Sequence, residues 1–384
     1  MRHRIALTDT ASYCARLEKD EGARQDCSMH PLPRRCGEAM MRFFSAVLCL
    51  VMAGLLPAAA QQRATVTMGV ITLVSSAPTY IAAEKGYFRE AGLDVQIEPI
   101  ESTGNAMPLL ASNRMQILVG GVSAAYWNAL ANNLPVIMAF DSASSPVYTD
   151  MLLRPDLLGK ISTAADLKGR TIAVTAPGAI PVYQLAKLLQ TANLSLGDVN
   201  LKYMPMPQMS VGLANTALDA ALMAPPLNAM AVQQKTGVHW KDFDDVVRPQ
   251  PMELAVYTAN SDWMTQNHDE ARKLFLALGR AARDYCQAYH GGPNRGEVED
   301  IMVKYQVTRE RALLDEMPWQ ARDPNGRVNL ASIEDIQELF FATGMIKQKF
   351  AGSRLVDGRF ADDVAAQLGP FALLNRDSKK AGCR

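Results

Sequence analysis

The feature that most constrains this chain is an alternation of short β-rich runs with helical stretches, which runs through once and then begins again. Residues 65–72 (Thr-Val-Thr-Met-Gly-Val-Ile-Thr) are a β-rich run. Pro78 opens a helix through Lys85 that Gly86 stops. Residues 93–100 alternate apolar and polar, the pattern of a half-buried strand. The turn Ser102-Thr103-Gly104-Asn105 feeds a helix over 107–113, and 115–119 is a short buried strand ended by Gly120-Gly121. Ser123 caps a helix through Ala131, and 135–140 is another apolar strand. Strands alternating with helices require crossover connections and hence a mostly parallel sheet.

The plan then repeats. Lys168-Gly169-Arg170 turns into a strand at 171–175, and Ala176-Pro177-Gly178 leads into a helix over 181–192. A strand at 199–204, a helix at 211–218 and a short strand at 219–223 follow, ended by Ala224-Pro225-Pro226. The Met-Pro run at 204–209 between them reads as a loop with soft side chains at the edge of the core, with ligand contact as the competing reading. Two similar α/β lobes result. The last third is helical: 269–289 is the strongest helix, 297–305 and 308–317 are shorter, and 332–349 is another, with Ser332 and Asp335 in a capping arrangement. Residues 351–384 form a C-terminal tail, polar and frayed after Asp377.

Ahead of this body, residues 41–62 have the form of a cleavable export leader. Arg42 is the basic start, 43–56 the apolar stretch, Pro57 the break, and Ala58 and Ala60 the small-residue cleavage pattern. A membrane anchor is the competing reading, but the apolar run lies near the lower limit of about 17–25 residues for a span and is broken by Pro57. Cys49 follows Leu48, where a lipid-anchored leader wants a small residue. Residues 1–40 are Arg-rich, with Cys14, Cys27 and Cys36 and no apolar period. They read as a misplaced start before Met40 or Met41, or as a disordered extension.

Lys plus Arg equals Asp plus Glu, at 39 each, so no global field points to nucleic acid. Beyond the leader only Cys286 and Cys383 remain, and no disulfide is expected of them. His239, His268 and His290 lack ligand spacing, so neither a metal nor a cofactor is implied.

The run from Ala77 through Pro78, Thr79, Tyr80 and Glu84-Lys85-Gly86-Tyr87-Phe88, followed by Ala91-Gly92-Leu93-Asp94-Val95, resembles the opening of the nitrate/sulfonate/taurine-binding proteins of ABC importers, a family that also holds binders of thiamine-pyrimidine precursors. The stretch from Asp166-Leu167-Lys168-Gly169-Arg170 to Val174 is similar to the start of their second lobe. Leu218-Asp219-Ala220-Ala221 with Pro225, and Trp319 with Asn325-Gly326-Arg327-Val328-Asn329, resemble their later signatures. The resemblance spans roughly 64–350. It implies an α/β, two-lobed type II periplasmic-binding-protein fold, each lobe a mostly parallel sheet flanked by helices. Lobe I would hold 62–148 and 259–350, and lobe II 149–258, with short strands at 148–153 and 254–258 crossing between them. It also implies a monomer that delivers a small organic or anionic solute to an ABC permease in the inner membrane.

In such sheets ligands sit beyond the carboxyl ends of the strands. The tips there carry Ser75 and Ser76 ahead of Thr79, Asn105, Gly121 and Ser123, Phe140 and Asp141 in the first lobe. In the second they carry Thr175, Pro177, Gly178 and Met223. Plain helix capping and core packing are the competing reading of each. Tyr80, Tyr126, Trp127 and Tyr183 are further candidates for an apolar part of the site, or for core. The tips hold no Lys or Arg, which favours a small organic ligand with an apolar body, although backbone N–H groups and hydroxyls can also hold an oxyanion. Two other readings stand beside the binder. One is an enzyme of the same fold, a pyrimidine synthase or a desulfinase with a Cys nucleophile, against which Cys286 sits in mid-helix. The other is a ligand-sensing lobe of a membrane receptor.

Overall fold

Among the described residues ten strands assemble into two five-stranded sheets, and in each sheet one strand runs against the other four. This computed structural model describes residues 63–384; the leader at 41–60 and the segment 1–40 lie outside the described residues. The first sheet has the order β2-β1-β3-β10-β4, built from β1 (Ala64–Val70), β2 (Leu93–Pro99), β3 (Ile117–Gly121), β4 (Val136–Ser144) and β10 (Glu253–Asn260). The second has the order β7-β6-β8-β5-β9, from β5 (Asp150–Leu153), β6 (Thr171–Val174), β7 (Asn200–Tyr203), β8 (Ala220–Met223) and β9 (Val238–Asp242). The β1–β2, β1–β3, β6–β7 and β6–β8 pairs are parallel. The reversed strands are β10, antiparallel to β3 and β4, and β5, antiparallel to β8 and β9.

Those two reversed strands are where the chain changes sheet. It leaves β4, crosses at 145–149 and enters β5; it returns from β9 through 243–252 into β10. The crossings are laced together. Asp244 accepts from the backbone N–H groups of Val147 (2.7 Å) and Tyr148 (3.1 Å), and Met252 N–H donates to Ser145 Oγ at 2.9 Å.

Both sheets are covered on both faces, because successive residues of a strand point to opposite sides. In the first sheet Val66, Met68 and Val70 meet the 22-residue helix His268–Tyr289 through Phe275, Leu278 and Tyr285. Leu118 and Met138 instead face Leu110, Trp127 and Phe340 of the helices Thr103–Ala111, Ala124–Ala131 and Leu330–Ala342. In the second sheet Ile172, Val174 and Leu222 pack on Leu185 and Leu189 of the helix Ile180–Gln190, while Ala173 and Ala221 pack on Met209 and Leu213 of the helix Met206–Ala214. Among the described residues no helix is long and apolar enough to cross a membrane.

Four local expectations are corrected. The Met-Pro run at 204–209 is not all loop: Pro207 sits in the first turn of the helix Met206–Ala214, where its missing N–H costs nothing. The helix expected from 332 begins at Leu330, so Ser332 and Asp335 do not cap it. Ser332 Oγ accepts from Glu253 N–H at 2.8 Å, and Asp335 reaches Tyr183. Residues 351–384 carry the helices Gly352–Leu355 and Arg359–Leu368, the second packed by Phe360 and Val364 against the long helix. Finally, Cys286 and Cys383 are joined as a disulfide. The end of the chain is therefore tied down: Tyr289 Oη donates to Ala381 O at 2.7 Å, His290 Nδ1 pairs with Ser378 Oγ at 2.7 Å, and Cys383 is buried.

Candidate ligand cleft

A cavity of about 630 Å³ lies between the two sheets, with walls from both lobes. The first lobe contributes Ile71 to Leu73 and Ser75 after β1, Ile100 to Thr103 and Asn105 after β2, and Gly121 at the end of β3. The second contributes Thr175 to Pro177 after β6, Tyr203 to Pro207 around the end of β7, and Ala224 after β8. Each group follows a strand's carboxyl end, the position that open α/β sheets use for ligands. Leu254, Ala255, Thr149, Gln184 and Gln320 close the end of the cavity beside the crossings.

The first-lobe wall is held from behind by a buried cation. Arg322 lies 3.8 Å over the Tyr285 ring and donates to Ser75 O at 3.0 Å, while Ser142 Oγ donates to the same carbonyl at 2.8 Å. These bonds fix the short helix Val74–Ser76 and so the position of Ser75. Thr103 Oγ1 donates to Gly121 O at 2.7 Å, tying two wall segments together. The lobes touch directly at one rim, where Ala124 N–H donates to Gly178 O at 2.8 Å. Gly178 has φ +64°, and a Cβ there would come within 2.7 Å of the Ala124 Cβ, so a side chain would push the rims apart. On the far side Asp335 of the helix Leu330–Ala342 accepts from Tyr183 Oη (2.6 Å) and Lys187 Nζ (2.9 Å) of the second-lobe helix.

The charge of the cavity wall is sparse. Among the described residues its lining holds no Lys, Arg or His, and the one ionisable carboxylate, Glu101, is exposed. Two carboxylates lie buried near the crossings instead: Asp141 on β4 and Glu253 on β10. Burial raises Asp141 to about 6, against the hydrogen bond with Glu253 and that from Asp323 N–H. Burial and then the Asp141 charge push Glu253 well above the usual carboxylate range. Low polarisability around two acids that share one site favours a proton held between them.

Of the residues singled out in the sequence, the structure brings Ser75, Asn105, Gly121, Thr175 and Pro177 together on the cavity wall. It places the others elsewhere. Ser76 Oγ is spent on Ile71 O at 2.7 Å, and Thr79 Oγ1 on Tyr257 Oη at 3.0 Å, both behind the wall. Phe140 packs on Phe275 and Tyr257 with Gly326 against its ring, and Asp141 Oδ2 accepts from Ser144 Oγ at 3.0 Å. Met223 fills the second lobe's core, and Ser123 and Gly178 lie at the rim, Ser123 bridged to Ala179 and Gly178 accepting from Ala124. Tyr80 stacks on Tyr305, and Tyr126 and Trp127 are core. Phe140, Asp141 and Met223 are on strands, whose residues point to opposite faces, and theirs point away from the cleft; Thr79, Tyr80, Tyr126 and Trp127 sit on helices with those side chains turned into the core.

Sequence reasoning missed Thr149, Gln184 and Gln320, and left Met204 and Met206 between a core edge and the ligand; they line the cavity. One signal was available. Gln184 is the sole amide in the first, otherwise apolar turns of its helix, yet it is fully buried. Gln320 follows Trp319 without any local pattern.

The comparisons with known proteins agree on the fold. The family described as "NMT1/THI5 like" matches residues 74–288. A Haemophilus influenzae protein named for thiamine biosynthesis is 24% identical over 288 residues, covering 74% of this chain and 85% of that protein. The nitrate/nitrite binding protein NrtA of a Nostoc species is 25% identical over 252 residues, covering 57% of this chain. The chain spans about half of NrtA's length (53%). Among solved structures, the periplasmic aliphatic sulphonate binding protein SsuA of Escherichia coli superposes with a TM-score of 0.61 at 17% identity, covering 77% of this chain and 92% of SsuA. The desulfurization enzyme DszB superposes with a TM-score of 0.60 at 14% identity, covering 80% of this chain and all of that one (100%).

Proposed function

Because the chain belongs to the NMT1/THI5-like family, we propose that it is a solute-binding protein that takes a small organic molecule into the cleft and hands it to an ABC permease. The carrying observation is the cavity itself, of about 630 Å³, walled by strand tips of both lobes and floored by the crossings. A ligand that touches both walls is better bound when the lobes close, and closure about two crossing strands is the response such an architecture allows. In this reading 149–258 moves as a body against the rest.

Export supports the reading. The leader at 41–60 directs the chain outward, and the Cys286–Cys383 disulfide is of the kind that persists in oxidising compartments such as the periplasm. A binder is preferred to a catalyst because, among the described residues, the lining presents neither a Cys nor a His to serve as nucleophile or base. The monomer is the working form.

The test is closure. A bound solute lowers the radius of gyration in small-angle scattering and raises Tm. A panel of sulfonates, amines, pyrimidines and aromatic acids that moves neither refutes the proposal.

A further inference from the structure

The cavity wall carries one formal charge, and it is negative. Among the described residues Glu101 is the only charged side chain of the lining, so no Lys, Arg or His stands there to pair it. Glu101 is exposed and lies just after β2. The lining also holds a single aromatic ring, Tyr203, at the end of β7 and 47% exposed. Lys202 precedes Tyr203 but is absent from the lining, since neighbouring residues of a strand face opposite sides.

Topology brings these two residues to one side of the cleft. The crossings join the sheets through β4 and β10 in the first lobe and β5 and β9 in the second. β2 and β7 are the outer strands at the opposite edge of each sheet. Their carboxyl ends therefore open on the part of the cavity farthest from the crossings, with Glu101 from the first lobe and Tyr203 from the second. Asn105, also exposed, stands on the Glu101 side, and the soft side chains of Met204 and Met206 continue from Tyr203.

The same wall offers an oxyanion little. Three helices begin on it, at Thr103, Ile180 and Met206, and helix starts ordinarily present free N–H groups to anions. Here Pro181 and Pro207 have no N–H. Val182 N–H donates to Ala179 O at 2.8 Å and Gln208 N–H to Pro205 O at 3.0 Å. Asn105 N–H goes to Ser102 Oγ at 3.2 Å. Resting on the solute-binding reading, we infer that the cleft takes a small organic cation, its ammonium group between the Glu101 carboxylate and the face of the Tyr203 ring and its apolar body along Met204, Met206 and Ile71. The carboxylate supplies the opposite charge, and the negative face of a tyrosine ring attracts a cation. NrtA and SsuA are named for anions, so this cleft differs from theirs in the sign of the charge it admits.

The test compares probes of matched shape and different charge on the purified protein: choline against its neutral tert-butyl isostere, benzylamine against benzyl alcohol and benzoate, with nitrate and ethanesulfonate as further anions. At least one cation raises Tm and binds by calorimetry roughly 10-fold or more tighter than its neutral isostere, and the advantage shrinks as salt is raised. Glu101→Gln removes the advantage while the free protein keeps its Tm, because Glu101 is exposed. Equal binding of a cation and its isostere overturns this inference and leaves the solute-binding reading standing. So does a cation preference that Glu101→Gln leaves intact. So does a response to an anion, or closure on an uncharged solute of the wider panel, with no response to either cation. Silence from every probe, with no closure in scattering on the wider panel, overturns both.

Discussion

Removing the Cys286–Cys383 disulfide should lower the melting temperature by about 7 °C. The two cysteines are 97 residues apart. In the chain-entropy account a loop of that length restricts the unfolded chain by about 4.7 kcal/mol. The described body runs over 63–384, and about 2.1 cal/mol/K per residue gives an unfolding entropy near ~0.7 kcal/mol/K, so the loss converts to about 7 °C. Two measurements check it. Alkylation and mass spectrometry of the unreduced exported protein should find neither Cys286 nor Cys383 free. Calorimetry with and without reductant, and of Cys286→Ala with Cys383→Ala, should then show the shift, with limited proteolysis releasing the segment that Tyr289 and His290 hold at 378–383. Two free thiols in the native exported protein refute the pairing. A bridge confirmed by mass whose reduction moves Tm by less than about 2 °C refutes the entropic reasoning.

Three further outcomes follow from the packing. Asp141 and Glu253 are both raised acids, so their stabilising contribution is complete below the unfolded carboxylate range and is lost as pH rises. For Asp141 the window runs from 3.8 to about 6. Glu253→Gln leaves only one acid to ionise at that site, so in thermal melts the parent should lose stability relative to the variant as pH rises from 4 to 8; parallel pH profiles would contradict the pair. Gly326 has φ +78°, and a Cβ there would enter the Phe140 ring, so Gly326→Ala should cost about 2–4 kcal/mol by urea unfolding, and a neutral result would mean the ring is free to move. Asp335→Ala removes the acceptor shared by Tyr183 and Lys187; hydrogen exchange in the helix Ile180–Gln190 should rise, with a loss of about 1–2 kcal/mol, and unchanged exchange would show that the latch does not hold the lobes.

Much of the fold was legible from local pattern. Helix stops such as Gly86, alternating strands such as 93–99, and the proline-opened helices depend on contacts within a few residues, and the sequence carries them directly. The cleft was half legible. Ser75, Asn105, Gly121, Thr175 and Pro177 follow from the rule that strand tips face ligands. Thr79 and Phe140 share those tips, yet Tyr257 and Gly326 claim them, because β10 and the 323–326 turn arrive from far along the chain. The second-lobe helix expected at 211–218 runs instead over Met206–Ala214, because Pro207 falls in the first turn, where a helix tolerates it.

By itself, then, the sequence determined the order and kind of the elements, their apolar faces and the two-lobed plan, since each rests on neighbours one helical turn or one strand pleat away. Only the tertiary structure decided that Cys286 meets Cys383, that Asp141 and Glu253 share a buried site, and that Gln320 and Gln184 border one cavity. Those facts are distances between segments remote in the chain, and residue order carries no measure of such distances until the sheets pack.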